Sequence, residues 1–560
     1  MRAVSWFRAK VSIYINKNLK GNSIMRTFNK TPLALGVAAG MAMLVASTGA
    51  QAASAGTDFG LTAHTIAGGM AGASYTRPQE ASAAVFGNPA TLTQFPGVNF
   101  NFGATLIAIT DLTVETDTTL DTVLGPVTSH SEHQSDADNY IVPTLGITLQ
   151  VSPNLTLGLG LEADAGLGAD YRDAPLQLFA GTFNDVQTLL GGIPGNITPL
   201  DGPVAAPLLV EVISFNANLA AGYKVNEQLS LGAALTIGFG LAQLGTTGPT
   251  TGFDTVSDLV VDGLAAGVGG ISNNGVLETG ILSNWGGTTS SVHDISLGWS
   301  LGATYMVADG ITTSLAIKGP VEYKFKNIIY GDPATTGGAF VPGNTADGWQ
   351  HLDVEQPLEV VAGVAFEDVL APNLLVELDV IWKNWGDADA YEDAYEDQFV
   401  VALGAQYEMN DWSFRAGYSW TEEILQDQPE STLGQITGLG NLPLGAGAAA
   451  LDGVAVPPVV EALAVDFIEI VQMSLLPVLW EHTFTAGAGY NFTDSVSVNG
   501  FVSYSLGEED SRNLEIAAAA ADIALGNLGL GGGTGGSTSS ITADVDSEVM
   551  VGIGINVALP

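Results

Sequence analysis

The chain has 560 residues, no cysteine, 70 glycines and a net charge of −43, although only 13% of its residues are charged. Seven of its sixteen basic residues and none of its acidic ones fall within the first 52, leaving 9 basic against 59 acidic residues thereafter. That balance excludes a nucleic-acid binder, which needs a basic footprint. An apolar content of 46% excludes a disordered chain. The missing thiols exclude disulfide scaffolds, cysteine nucleophiles and thiolate metal sites.

The N-terminus reads as an export signal. Met25 opens it, Arg26 and Lys30 supply positive charge, residues 33–46 are uncharged and apolar, and Ala50-Gln51-Ala52 is a small-residue cleavage site. The mature chain is expected to start at Ala53, outside the inner membrane of a Gram-negative cell. The apolar stretch is shorter than the ~20 residues of a membrane span. The later apolar region 446–480 carries Asp452, Glu461, Asp466 and Glu469 with Pro457 and Pro458, and reads as a helical loop rather than a span.

Beyond the signal the dominant pattern has period two. In 229–241, Leu229, Leu231, Ala233, Leu235, Ile237, Phe239 and Leu241 share one face, opposite Ser230, Gly232, Ala234, Thr236, Gly238 and Gly240. An apolar face backed by a small or polar one describes a strand between lipid and lumen. Residues 155–164 and 549–559 repeat it. The same pattern predicts fourteen strands: 98–115, 139–151, 155–167, 209–225, 229–242, 291–307, 311–329, 350–366, 374–386, 396–409, 412–426, 480–492, 495–506 and 541–559. Tight turns at 152–154, 226–228, 308–310, 410–411 and 493–494 alternate with connections of up to about fifty residues. Short turns at one end and long loops at the other are the layout of an outer-membrane antiparallel β-barrel. No fixed repeat period points to a solenoid.

At 72–92 the chain reads GASYTRPQEASAAVFGNPATL, which resembles the N-terminal segment of the FadL-type family of outer-membrane transporters of long-chain fatty acids and aromatic hydrocarbons. The motif Asn88-Pro89-Ala90 sits just before the first strand, as in that family. Similar matches follow at ELDVIWKNW (377–385), LGAQY (403–407), FRAGY (414–418) and GAGYNF (487–492). The resemblance implies a 14-stranded barrel over 97–560, plugged by residues 53–96. It also implies passive passage of hydrophobic small molecules and their lateral exit where a barrel strand kinks. Gly158, Gly160 and Gly166 make the third strand the candidate for that kink. The chain departs from the pattern in ending Ala558-Leu559-Pro560 rather than on the aromatic residue read by the barrel-assembly machinery. Its loops at 243–290 and 427–479 are also long for the family.

Strict alternation assigns lumen faces. In 311–326 it sends Leu315, Ile317, Val321, Tyr323 and Phe325 to lipid and Lys318, Glu322, Lys324 and Lys326 inward. In 374–385 it turns Glu377, Asp379 and Lys383 inward, and in 412–420 Arg415. These residues are candidates for holding a substrate carboxylate or for an ion-pair network filling the bore. Outward Trp and Tyr residues are expected to form interfacial girdles. The segments 253–268, 451–475 and 514–525 are apolar and plausible helices, either gathering a greasy ligand or packing as a lid. Gly531–Ser540 reads as a flexible stretch. The Asn-Pro-Ala step is expected to turn the plug sharply at the wall.

Neither a catalytic constellation nor a cofactor is expected. His130 and His133 beside Asp136 and Asp138 read as a solvated loop rather than a metal site. The acidic surface repels a fatty-acid anion unless salt screens it. Either divalent ions bridge the loops to lipopolysaccharide in a saline habitat, or the cargo is a neutral alkane or aromatic. Uptake of long-chain fatty acids or similar compounds is thus the leading expectation. Neutral hydrocarbon uptake, a general porin or a structural barrel are the alternatives.

Overall fold

The computed structural model describes residues 59–171, 208–246, 292–330, 349–426, 480–514 and 536–560, apart from 110–111, 124, 138 and 393, together with a few residues between 469 and 531. The export signal at 1–52, the loop 253–268 and most of 451–475 and 515–525 lie outside the described residues.

Among the described residues, twenty strands follow one another along the chain. The first five are β1 (Val98–Ile109), β2 (Leu112–Thr122), β3 (Gly125–Gln134), β4 (Asn139–Ser152) and β5 (Leu155–Asp170). Next come β6 (Leu208–Lys224), β7 (Leu229–Thr246), β8 (Val292–Ala308), β9 (Ile311–Lys318), β10 (Val321–Tyr330), β11 (Trp349–Gln356) and β12 (Glu359–Glu367). The last are β13 (Leu374–Lys383), β14 (Gln398–Met409), β15 (Trp412–Thr421), β16 (His482–Thr493), β17 (Val496–Ser505), β18 (Glu508–Asn513), β19 (Thr538–Val545) and β20 (Glu548–Leu559).

Fourteen of them close a barrel in the order β1-β20-β17-β16-β15-β14-β13-β12-β9-β8-β7-β6-β5-β4. β20 pairs antiparallel with β1 from Val98↔Leu559 to Ile109↔Glu548, so no barrel strand is left with an open edge. The period-two pattern sets the faces. Leu231, Leu235, Ile237 and Phe239 on β7 lie exposed on the outside, while Ala234 and Thr236 are buried in the bore. Tyr223, Tyr305, Tyr407 and Trp412 are exposed near the short-turn end, where an aromatic girdle is expected. Among the described residues no helix is long and apolar enough to cross a membrane.

The fourteen barrel strands match the predicted number, but several predicted strands are longer than the barrel's share of them. The segment 311–329 divides at Gly319-Pro320, and 350–366 divides at Pro357-Leu358. Proline has no N–H for the ladder, so β10 and β11 leave the wall and pair with each other. This hairpin tucks into the long-loop mouth. Tyr323 and Phe325 are buried, and a Cβ at Gly238 or Gly240 would collide with the Tyr323 ring. The assignment of Val321, Tyr323 and Phe325 to lipid is therefore corrected, and Glu322, Lys324 and Lys326 belong to the hairpin rather than to the barrel wall. Likewise 98–115 and 541–559 divide. The outer parts build a four-stranded sheet, β18-β19-β2-β3, beyond the barrel. His130 and His133 lie on β3 of that sheet rather than in a loop, and Thr538–Ser540 of the expected flexible stretch lie on β19.

A hydrophobic core caps the long-loop end, gathering Tyr323, Phe325, Trp385, Tyr391, Tyr395 and Ile424 with Ile541 and Val545 of the outer sheet. Ile470, Met473 and Leu514, among the described residues of the apolar loops, are buried in it. The hairpin contributes a titratable weak point. Glu355 of β11 lies directly across from Glu322. Burial, and then Asp389, Glu322, Glu392 and Asp387, raise its pKa from 4.5 to about 7. A carboxyl whose pKa rises on folding costs nothing below 4.5, where it is protonated in both states, and its full penalty above about 7. Hydrogen-exchange protection of the β10–β11 hairpin should therefore fall as pH rises through that window, and Glu355→Gln should flatten the profile.

Candidate functional site

Residues 59–97 fill the bore. They form a 3-10 turn at Ala67–Met70, a short helix α1 (Ala81–Phe86) and a second 3-10 turn at Pro89–Gln94. An irregular chain buried this way has amides with no ladder partner, and each unmet one is expensive. Carboxylates meet them. Glu80 Oε1 accepts from the N–H groups of Ile66 (2.8 Å) and Ala67 (3.0 Å). Glu377 accepts from the N–H groups of Thr76 (2.6 Å) and Arg77 (3.1 Å), and Asp379 from that of Tyr75 (3.2 Å). Asn88 caps the second 3-10 turn by accepting from Ala90 N–H at 3.1 Å, and its side-chain amide donates to the Ala303 carbonyl of β8 at 3.4 Å. Pro89 then occupies the first position of the turn, and a Cβ at Gly232 would overlap the Pro89 and Ala90 backbone. The Asn-Pro-Ala step thus seats the plug on β7 and β8.

The predicted lumen residues do not converge on one point. Lys318 faces Glu359 at 3.3 Å and lies 5.7 Å from the centre of the Tyr75 ring. Lys324 pairs with Asp353 at 2.9 Å within the mouth hairpin. Arg415 donates to Gln406 (2.5 Å) and Asn499 (3.0 Å) beneath the plug. Of the five predicted cations, Lys383 lines a cavity. That cavity holds about 1050 Å³ of empty space, part of it open to solvent, between the plug and the wall. Phe59, Leu61, Ile381, Val400, Trp480 and Met550 give it apolar surface; Lys383, Gln398 and Glu548 give it polar points. A second pocket of about 450 Å³ shares Gln398, Thr421 and Trp480 with it and opens among Glu422, Glu423, Glu481, Glu508, Glu509 and Asp510. Arg512 pairs with Asp510 at 2.6 Å.

The third barrel strand, β5, is irregular at one point. Its register against β6 runs Glu162↔Asn216, Ala163↔Phe215, then Ala165↔Ser214, so Asp164 is an extra residue, a β-bulge. The three glycines singled out in this strand keep regular register: Gly158 and Gly160 give room to Val85 and Phe86 of the plug, and Gly166 pairs with Ile213. The bulge faces the plug's first residues. Phe59 N–H donates to the Asp164 carbonyl at 3.0 Å, and Phe59, Ala63, Tyr140, Val142 and Ala163 form an apolar cluster there.

Sequence reasoning missed His64. It is buried, with Nδ1 2.8 Å from Ser82 Oγ and Nε2 2.8 Å from Glu162 Oε2. The available signal was Glu162 itself, a carboxylate on a strand face begun by Thr156, Gly158 and Gly160, which demands a buried partner. The trio resembles a nucleophile, base and acid, but all three are buried and none lines the cavity described above. The spacing Gly-x-Ser-x-Gly also occurs, at Gly298–Gly302. It lies in regular register along β8 rather than at a strand-to-helix elbow. On the outer sheet, Glu115, Asp117 and His130 cluster with ligand atoms within 4.8 Å of one another; His130 Nδ1 lies 3.0 Å from Asp117.

The anchoring carboxylates make a testable demand. Glu377→Ala strands two plug amides, at roughly 1–3 kcal/mol each. The barrel should still fold, shown by heat-modifiable mobility on gels. Sugar entry into proteoliposomes should rise several-fold as the plug loosens.

The sequence matches the family described as "Outer membrane protein transport protein (OMPP1/FadL/TodX)" over residues 43–191 and 206–433. The fold is similar to the Pseudomonas putida toluene transporter TodX, with 18% identity, a TM-score of 0.50, and coverage of 89% of this chain and 99% of that one. It is also similar to a Pseudomonas aeruginosa FadL homologue, with 14% identity, a TM-score of 0.53, and coverage of 88% and 98%. No curated protein matches the chain. A closed fourteen-stranded barrel, a plug seated on Asn88-Pro89-Ala90 and a match across more than half the sequence lead to one assignment: the chain belongs to the OMPP1/FadL/TodX family of outer-membrane transporters of hydrophobic compounds.

Proposed function

We propose that this chain takes up neutral hydrophobic compounds by passive diffusion: from the acidic outer pocket into the cavity above the plug, past Phe59, and sideways into the membrane at the β5 bulge. The observation that carries the reading is the position of Phe59. Its side chain lines the cavity and its N–H bonds the extra residue of the bulge, so one residue stands between the chamber and the break in the wall. The apolar cluster of Phe59, Ala63, Tyr140, Val142 and Ala163 supplies the greasy surface between them.

Charge favours neutral cargo. An anion entering the outer pocket passes six carboxylates, among them Asp510, which pairs with Arg512. In a partly desolvated pocket such repulsion is screened less than on an open surface. The P. putida relative is a toluene transporter, a neutral cargo on the same fold. Long-chain fatty acid is the second reading, favoured by Lys383 in the cavity wall, where an ammonium can hold a carboxylate.

Deleting Asp164 tests the route. Because it is the extra residue, its removal leaves both halves of β5 facing as they did. Uptake of labelled hexadecane or toluene by cells carrying the deletion should drop at least tenfold while the barrel folds normally. Oleate uptake measured in parallel decides between the cargoes: entry faster than that of the hydrocarbons supports the second reading. Sugar entry at porin rates through the unaltered protein refutes the transporter reading altogether.

A further inference from the structure

We infer that the buried Ser82–His64–Glu162 chain is a catch that holds plug residues 59–64 over the lateral exit, making His64 and Glu162 positioning residues for release of cargo. The inference rests on the route proposed above and names the part that moves.

Three groups of contacts divide the plug. Residues 75–97 are tied to other strands through Glu377, Asp379, Asn88 and a Thr93–Ser230 hydrogen bond of 2.9 Å, besides the packing of Val85 and Phe86 on Gly158 and Gly160 of β5. Residues 65–67 are tied inside the plug, to Glu80. Residues 59–64 touch the wall at the exit itself: Phe59 N–H on the Asp164 carbonyl, Thr105 Oγ1 donating to the Ala63 carbonyl at 2.8 Å, and His64 on Glu162 at 2.8 Å. Glu162 is two residues from the bulge and points into the bore, paired with Asn216 on the ladder. Release of these contacts frees 59–64 to swing about the Glu80-bound turn. Phe59 then leaves the gap between cavity and bulge.

The chemistry of the chain explains why histidine stands there. Asn101 Nδ2 donates to Ser82 Oγ at 2.9 Å, and Asn101 Oδ1 accepts from the Ser82 N–H at 2.7 Å. With its oxygen supplied by Asn101, the Ser82 hydroxyl donates to His64 Nδ1, and Nε2–H donates to Glu162. This tautomer, assigned from the network, gives every group one role. A buried donor that loses its partner costs its full desolvation, so the catch holds firmly when formed and is lost as a unit.

The test uses the full chain in proteoliposomes with toluene and hexadecane as probes, and hydrogen exchange by mass spectrometry on the same samples. Glu162→Ala and His64→Ala should each speed amide exchange in 59–64 by about tenfold or more, leave 75–97 and the barrel strands as they were, and raise the initial hydrocarbon flux several-fold. Glu162→Gln keeps an acceptor and should stay within about twofold of the unaltered protein in both readouts. The double alanine variant should match either single one. Exchange that is unchanged in 59–64, or that rises equally across plug and strands, overturns the catch. Selective exchange with unaltered flux overturns it as a gate. No hydrocarbon flux in the unaltered protein removes the transport reading instead, a result distinct from flux that the substitutions fail to change.

Discussion

A hydrocarbon layer offers no water to a peptide bond, and every other feature of this molecule follows from that constraint. The fourteen strands satisfy it by pairing all the way round, β1 closing on β20. Closure creates a bore, and the bore must be filled without stranding the amides of whatever fills it. The plug is too irregular to form a ladder. Its backbone is therefore received by side chains: Glu80, Glu377 and Asp379 take the N–H groups of five residues between Tyr75 and Arg77 and at Ile66 and Ala67. Buried carboxylates, costly in isolation, are stabilised here because they replace water for the backbone.

That solution recasts the role of the charged lumen residues. Glu377 and Asp379 look, on the alternating strand 374–383, like a site awaiting ligand. They face inward as the period requires, yet what they hold is the protein's own chain. Arg415 is likewise absorbed by Gln406 and Asn499. Lys383 is buried as well but also borders open space. The route we propose runs through what the carboxylates leave unfilled: a chamber walled by apolar groups, a break in the hydrogen-bond ladder at Asp164, and a phenylalanine between them.

Period two made the barrel legible. Leu231, Leu235 and Ile237 outside and Thr236 inside could be read directly, and the short turns gave the strand number and the orientation of the two ends. Alternation failed where a strand left the wall. Nothing in the apolar rhythm of Val321, Tyr323 and Phe325 distinguishes lipid from a buried face of the mouth, since both reward the same residues; Pro320 was the cue to the difference. Alternation failed again at Asp164, because a bulge inserts one residue without disturbing the composition on either side. The third strand does carry a bulge, but its glycines mark where the plug presses close, not where the ladder slips. The His64–Ser82–Glu162 chain joins residues up to 98 positions apart, a distance that no local pattern spans.

Among the described residues, the small sheet standing beyond the barrel ends in two strands with no outer neighbour, β3 and β18. A free row of amides and carbonyls is a template on which a neighbouring copy can add its own strand. Here those rows carry Glu132 on one side and Glu508, Glu509 and Asp510 on the other. Two such borders approaching each other bring carboxylates face to face, so the acidity of the crest guards crowded copies against zippering together, and that protection weakens as ionic strength rises.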